Sequence, residues 1–581
     1  MNAQTLIFTA LPNGIAADKL RLSVYLAPRL WTQDSAVRAL SLEQFPDFWD
    51  FPAQVEGMTF TVQFENGATF SNLKRANTDA LRADMWQVLF KQPPYVEDFP
   101  YVAPYQFEAE SLASTPFRRL PISALGAVLR QTFQRGGRAA DQDAEGALEQ
   151  LQAALTAEST PTKTDLAARL DFHQVLALLG SFPELLRALG LVVDLEVPLT
   201  AEIPRAAAAT EGVSVQVLAH WTPKLANTHI YSPRTQYILS ETHFMAAPRP
   251  ESYLREGLFR LDDSARFAVE QVDVVGAALH ALHSSTLPPL RTVGLAVLQR
   301  DLPEQLQASA RHAEALNNAL QANSAPTVAL YAEDVLRGFR LDVWDALSKR
   351  WHSTHQRRSA FDFIGTSGAR IRVTDEQVSE GFAQVSLREA ADGKGLVADE
   401  MLLVWDGWSL SAPRPINFSN DQGKADASNG DLLTPFGIEA HFSAAPRTLP
   451  RLRFGRSYRL RLRAVDLAGN SVFTPNTADF QKTQAECSAP ITFQRHEPIA
   501  PPIVLPRSVP AYGESLETLV VRSGAGGDHD AARSERHFAP PPLDLLHAEW
   551  YGAFDGKTPE EVQALRGRTL KVVGEKPPEP A

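Results

Sequence analysis

Between Leu20 and Leu26 the chain alternates, with Leu20, Leu22, Val24 and Leu26 apolar and Arg21, Ser23 and Tyr25 between them. A period of two sends alternate side chains to opposite faces, so the stretch predicts a strand with one face on a core, ended by Pro28. A second alternation, Met58, Phe60, Val62 and Phe64, runs into Asn66-Gly67 and then Thr69-Phe70. This predicts a β-hairpin closed by a type I′ turn, whose two central residues both need positive φ. Beyond it, Thr78 is a candidate N-cap for a helix with Leu81, Met85, Val88 and Leu89 on one stripe. Pro93, Pro94, Pro100 and Pro104 remove backbone donors and predict irregular chain, and a second helix runs from Ser123 to about Phe133.

Residues 136–190 are helical in character: Asp143 to Leu155, Asp165 to Leu179, and a third piece opened by Pro183 and ended by Gly190. The period then changes to two, with Val193, Leu195 and Val197, then Val213, Val215 and Val217, and further on Phe267, Val269, Val272 and Val274. A long helix from Pro303 to Asn323 follows. After Leu330 short strands dominate: Phe339, Leu341 and Val343 alternate with Arg340, Asp342 and Trp344; Ile371 and Val373 flank Arg372; Phe382, Val385 and Leu387 approach another strand; and Leu402 to Trp405 precedes Gly407-Trp408. Asp392 to Gly395 is turn-like. The prolines of Glu497 to Pro506 predict a stiff linker, Leu516 to Val521 a strand, and Thr558-Pro559-Glu560-Glu561 a capping box opening a short helix. The fold class expected is therefore multidomain α+β and β-rich: an α+β domain over 1–135, a helical insertion over 136–190, a second α+β domain over 191–325, a β-rich module over 326–400, a sandwich over 401–495, and a Pro-rich linker with a C-terminal segment over 496–581.

The run from Tyr458 through Arg-Leu-Arg-Leu-Arg-Ala-Val to Asp466-Leu-Ala-Gly469-Asn470-Ser471 resembles the penultimate strand and following turn of a fibronectin type III-like module. The resemblance covers about residues 400–475 and implies an antiparallel β-sandwich, with Leu402, Val404, Trp405 and Trp408 supplying an early strand and buried aromatic. It implies no chemistry, since such modules serve as spacers or binding surfaces. The polar stretch from Asn417 to Asp431 departs from the family pattern.

Composition narrows the function classes. With 41 Pro and 33 Gly in 581 residues the chain is neither collagen-like nor low-complexity. A net charge of −12 argues against general binding to nucleic acid or anionic lipid. One cysteine, Cys487, permits no intrachain disulfide, and the N-terminus lacks the basic segment of a secretory signal, so cytoplasmic synthesis is expected, with release as part of a particle a further option. No phosphate-binding loop, zinc-protease helix or nucleophile elbow is present, and no cofactor, metal or catalytic residue is assigned.

Three histidine groupings are weighed as sites and set aside: His280 with His283 as a structural or surface pair, His352 with His355 beside Arg357 and Arg358 as an electropositive loop, and Asp528-His529-Asp530 with His537 as a flexible loop. Asp98, Asp342, Asp345, Glu400 and Asp406 lie near aromatics, where the acid and base of a carbohydrate-active hydrolase could sit. Exposed Trp405 or Trp408 would instead suit a carbohydrate-binding protein.

The sharpest charge pattern is a run of arginines without intervening acids, including Arg453, Arg456, Arg459, Arg461 and Arg463. With Tyr458, Leu460 and Leu462 on the core, Arg459, Arg461 and Arg463 share the opposite face. Either that face pairs with acidic neighbours on adjacent strands, or it docks an acidic partner. The expectation is a non-catalytic structural or interaction component of a larger bacterial assembly, with a phage-tail-like or contractile injection particle as one setting. Its partners would be other protein subunits, and neither nucleic acid nor membrane insertion is expected.

Overall fold

The computed structural model describes residues 2–32, 39–40, 42, 45–90, 99–100, 117–120, 172–205, 213–220, 228–271, 294–321, 329–365, 368–385, 387–389, 396–399, 401–413, 437–475, 477–494, 503–506, 512, 536–539, 545–558 and 560–561. The chain is β-rich and multidomain, with several separate, mostly antiparallel sheets.

The first sheet is built from β1 (Asn2–Ala16), β2 (Lys19–Thr32), β3 (Thr59–Phe64), β4 (Thr69–Leu73), β5 (Val192–Pro198), β6 (Val213–His220), β7 (Thr228–Tyr231), β8 (Thr235–Leu239) and β9 (Phe244–Ala246). Its order is β4-β3-β6-β8-β9-β1-β2-β5, with β7 parallel to β1. The two ends approach one another, since the Ala76 amide just past β4 donates to the Asp194 carbonyl on β5 at 2.8 Å, giving a barrel-like curl. Leu20, Leu22, Val24 and Leu26 are all buried, as their alternation requires. Pro28 does not end the strand. Partner β5 stops opposite Tyr25, so on that side the proline's missing N–H interrupts no ladder, and β2 continues to Thr32 against β1.

The predicted hairpin is present as β3–β4, but its turn differs. Only Gly67 has positive φ (90°); the Gly67 amide bonds to the Phe64 carbonyl, and the Phe64 amide to the Ala68 carbonyl. That is the wider loop in which a type I turn precedes a left-handed glycine. Helix α1 (Phe51–Glu56) was not anticipated, but three expected helices form: α2 (Ala83–Phe90) from its apolar stripe, α3 (Phe172–Leu179) from its composition and α4 (Pro183–Ala188) from its opening proline. Helix α2 starts later than Thr78 because the amides of Leu81 and Arg82 are taken by the Glu56 side chain and the Ala188 carbonyl. The helices proposed over 123–133 and 143–155, and the strands at Val272–Val274 and Leu516–Val521, lie outside the described residues.

A second sheet runs β10-β11-β20-β14-β15, where β10 is Leu254–Arg255, β11 Leu258–Phe259, β14 Leu336–Asp345, β15 Arg350–Ser353 and β20 Ser457–Asp466; β21 (Ile491–Thr492) pairs with β20. It packs on a three-stranded sheet of β12 (Phe267–Glu270), β13 (Leu295–Gln299) and β18 (Met401–Trp405). Leu341, Val343, Leu460 and Leu462 from one sheet meet Leu295, Val297, Leu403 and Trp405 from the other, which makes a sandwich core. A third group joins β16 (Gln356–Ile364), β17 (Arg370–Glu380) and β19 (Ile438–Ala444), and its Phe361, Phe363 and Ile438 enter the core of the first sheet. Helix α5 (Leu302–Gln321) matches the expected long helix.

Strand pairing therefore crosses the boundaries drawn from sequence. Strand β3 pairs with β6, and the strands β18, β19 and β20, all within 401–495, join three different sheets. Ile503–Pro506, expected within a linker, is a strand paired with Arg536–Ala539. The capping box forms as predicted: the Thr558 amide donates to Glu561 and the Glu561 amide to the Thr558 hydroxyl.

The turn after β20 joins the sandwich to the first sheet. Gly469 has φ 79°, and a Cβ there would lie 2.2 Å from Pro183 Cγ, whereas Gly455, at φ 77°, faces open space. Gly469→Ala should cost about 3 kcal/mol from the left-handed backbone and the clash together, and Gly455→Ala about 1 kcal/mol. Chemical denaturation of both variants checks the difference, and equal losses would mean that the Pro183 contact carries no weight.

Candidate functional site

Strands β14 and β20 pair in a register that sets Asp342 opposite Arg461, Leu341 opposite Leu462 and Arg340 opposite Arg463. Because side chains alternate, Leu341, Val343, Leu460 and Leu462 face the sandwich core while Asp342, Arg461 and Arg463 share the other face. That other face is not solvated. Helix α6 (Ala478–Lys482), with Trp351 and Phe473, covers it, and Arg461 and Arg463 are 0% exposed. Of the two readings of the arginine run, the structure supplies the acidic neighbours on adjacent strands for these two residues, which therefore present no docking surface.

The side-chain polar atoms of Asp342, Arg461 and Arg463 are all hydrogen-bonded. Arg461 donates Nε and Nη2 to Asp342 Oδ2 at 3.0 and 2.8 Å, and its Nη1 to the Thr483 carbonyl at 2.9 Å. Arg463 reaches both Asp342 oxygens and donates Nη2 to Glu380 Oε1 at 2.6 Å, which also accepts from Ser353 Oγ. The Arg461 guanidinium lies 4.3 Å from the Trp351 ring centre and 4.8 Å from that of Phe480, so apolar rings replace water around the charge. Burial opposes the charge on Arg463, but Asp342 and Glu380 outweigh it and raise its pKa. Glu380 likewise resists burial and is held down at about 2 by Arg463 and Arg340.

The other arginines of the run have separate fates. Arg453 is buried and makes a bidentate pair with Asp555, which also takes the exposed Arg451. Arg456 and Arg459 are half-buried and, among the described residues, carry no ion pair. Tyr458 is buried, its hydroxyl donating to the Arg451 carbonyl at 2.7 Å and accepting from the Arg453 amide at 2.9 Å, which ties the start of β20 to the chain before it.

Arg340 and Glu380 line two adjoining cavities between the sandwich and the first sheet, of about 370 and 740 Å³. Here the Asp466–Asn470 turn docks. Arg340 Nη2 donates to the Gly469 carbonyl at 3.0 Å, and Arg187 on α4 donates to the Ala468 carbonyl at 2.8 Å and to Asn470 Oδ1 at 3.1 Å. Arg187 also pairs with Asp194 on β5, and Asn470 Nδ2 reaches Ser23 on β2 at 3.0 Å. Asp466 accepts the amides of Ala468 and Asn470, yet burial raises its pKa to about 6. Asp342 was named from sequence only as a carboxylate near aromatics. Glu380, Arg340 and Arg187 were missed, because their partners lie on strands distant in sequence.

The remaining sequence candidates disperse. His352 sits on β15 between Ser348 and the Thr448 carbonyl; His355, fully buried, bonds through Nδ1 to Ser411 Oγ at 2.7 Å. Burial first, then Arg340, pushes the His355 pKa down to about 3. Asp345 caps the Leu347 and Ser348 amides, and Asp406 accepts from the Trp408 amide. Trp405 is 0% exposed against Tyr458, so it offers no sugar platform, and Trp408 donates to the Ala412 carbonyl. Asp98, His280, His283, Glu400 and His529 lie outside the described residues, as do the Asp392–Gly395 turn and the side chain of His537. Cys487 is buried, donating to the Gln484 carbonyl. Among the described residues no group of three metal-ligating side chains converges, and no helix is long and apolar enough to cross a membrane.

Removing Asp342 would strand the buried Arg461 and leave Arg463 with Glu380 alone. Asp342→Ala should therefore destabilise by about 3–5 kcal/mol, against about 1 kcal/mol or less for Arg451→Ala at its exposed pair, as read by urea denaturation. His355 gives a pH signature. Its folded pKa lies below the unfolded value, so its stabilisation is present above about pH 6.5 and is lost as pH falls toward 3. His355→Asn keeps an acceptor for Ser411 but cannot titrate. The stability difference between wild type and this variant should shrink on acidification below pH 6.5, with a slope approaching 1.4 kcal/mol per pH unit, and a pH-independent difference would contradict it.

Compared with family models, curated proteins and solved structures, the chain matches none.

Proposed function

We propose that the chain is a non-catalytic structural or interaction component of a larger bacterial assembly, a phage-tail-like or contractile injection particle being one setting. The observation that carries this reading is the use of its interior charges. Asp342, Glu380, Arg461 and Arg463 lock two strands and their covering layer, and Arg340 fixes the turn that Arg187 locks to the first sheet. Groups saturated in this way stiffen a body that must hold its shape under load or in a lattice. The Tyr458 hydroxyl bond to the chain before β20 supports the fibronectin type III-like resemblance, because sandwich modules of that kind use a tyrosine at this corner.

A carbohydrate-active hydrolase is the competing reading, and one observation favours it. Glu380 and Asp466 line one cavity and have pKa values pushed apart, to about 2 and about 6, as an acid–base pair would. Both carboxylates, however, are already filled by protein donors.

If the residual basic surface docks an acidic partner, Arg456 and Arg459 are its residues, since replacing Arg461 or Arg463 would break the buried layer. Size-exclusion with light scattering on native lysate should find the chain well above its 63.8 kDa monomer mass. The Arg456→Ser/Arg459→Ser double variant should stay folded and shift toward monomer. A wild-type chain that elutes only as monomer, or that turns over a glycan with loss of turnover in Asp466→Asn, would overturn the proposal.

A further inference from the structure

A third cavity, of about 380 Å³, lies between α5 and the sandwich, within the size range of small-molecule sites. Its walls are apolar: Phe259 and Phe339, whose rings meet edge to face at 5.8 Å, with Leu302, Leu306, Val385 and Leu402. The polar part of its lining includes Glu333, Asp334, His312 and Arg337.

The acids of the lining are already committed. Both Asp334 oxygens accept from Arg249 Nη2 at 2.6 Å, and Oδ2 also accepts the Tyr331 amide at 2.8 Å. Glu333 accepts the Arg249 amide and the Ser252 hydroxyl. The donors are not committed to the same degree. Arg337 gives Nη2 to the Ala177 carbonyl at 2.6 Å and its Nε is closed off from both solvent and cavity, but among the described residues no carboxylate pairs with its guanidinium. His312 Nε2, 3.3 Å from Asp334 Oδ1, is also buried without a hydrogen bond.

The backbone places Arg337 there by a specific device. Leu336 pairs with Asp466 and Gly338 with Val465, so Arg337 is the extra residue of a β-bulge in β14. Such a bulge re-aims a side chain at the expense of the ladder, and it recurs beside binding sites. A Cβ on Gly338 would fall 2.2 Å from the Ala383 carbonyl oxygen, so the glycine lets the chain pack closely where it bulges. A largely desolvated cation without a counter-charge is costly, and an anion meeting the guanidinium from the cavity would offset that cost.

We propose that this cavity binds a small carboxylate with an apolar body, its carboxylate on Arg337 and its hydrocarbon between α5 and the Phe259–Phe339 wall. The inference stands apart from the assembly reading, since a structural subunit and an enzyme could equally hold such a ligand. Isothermal titration of the full chain with decanoate and with decanol tests it on the unaltered protein. Saturable 1:1 binding of decanoate, at least tenfold tighter than decanol, is the expected result. Arg337→Gln should weaken decanoate about tenfold or more and leave decanol unchanged, while Ser309→Trp, at the exposed rim of the cavity on α5, should weaken both. The proposal is overturned if decanoate shows no saturable binding, if decanol binds as tightly, if Arg337→Gln binds decanoate like wild type, or if Ser309→Trp changes neither.

Discussion

A dry layer holding two guanidinium groups around one carboxylate constrains everything built on it. Asp342 lies between Arg461 and Arg463, with rings above and hydrophobic core below, and none of the three reaches water. A buried ion pair of this kind adds little net stability over an apolar replacement, because desolvation consumes most of the Coulombic gain. What it adds is register. A slip of one residue between β14 and β20 would turn Asp342 toward the leucines of the sandwich core and Leu341 toward the arginines, leaving charges unpaired on both faces. The pairing of β14 with β20 is thus specified by a penalty on alternatives.

From that layer the polar contacts continue outward without a break. Arg463 holds Glu380, Glu380 stands beside Arg340, Arg340 grips the Gly469 carbonyl, and the same turn is held from the other side by Arg187 and Ser23. Two sheets that share no backbone ladder are coupled through a five-residue turn. Asp466 makes this coupling sensitive to protons in the opposite sense to His355: its raised pKa means that its contribution is fullest below about pH 4 and is lost as pH rises through about 6. The acid sensitivity of His355 is thereby partly offset between pH 4 and 6, while that of Glu380 lies below about pH 4.5.

What the sequence made legible was local. The alternation at Leu20–Leu26, the β3–β4 hairpin, helix α5 and the Thr558–Glu561 box all follow from side chains within a few residues of one another. Which sheet a strand joins was not legible, since β18, β19 and β20 are close in sequence but find partners up to 205 residues away, as Leu258 opposite Arg463. The arginine run shows the same limit. Alternation correctly put Arg459, Arg461 and Arg463 on the face opposite the leucines, but whether that face meets water depends on Asp342 and on the later helix α6. A carboxylate at the matching alternate position of another strand, here Asp342 between Leu341 and Val343, was the one signal available, and it identifies the partner only once the pairing is known.

The residues the fold does not use therefore say more about function than those it does. A side chain such as Arg463, with each oxygen around it committed, is explained by the fold alone. Arg337 is different: a bulge and a close-packed glycine place beside an apolar hollow a cation that reaches the Ala177 carbonyl on α3 but, among the described residues, has no carboxylate to balance it. A charge that the fold positions without a counter-charge is where a ligand can supply the missing term.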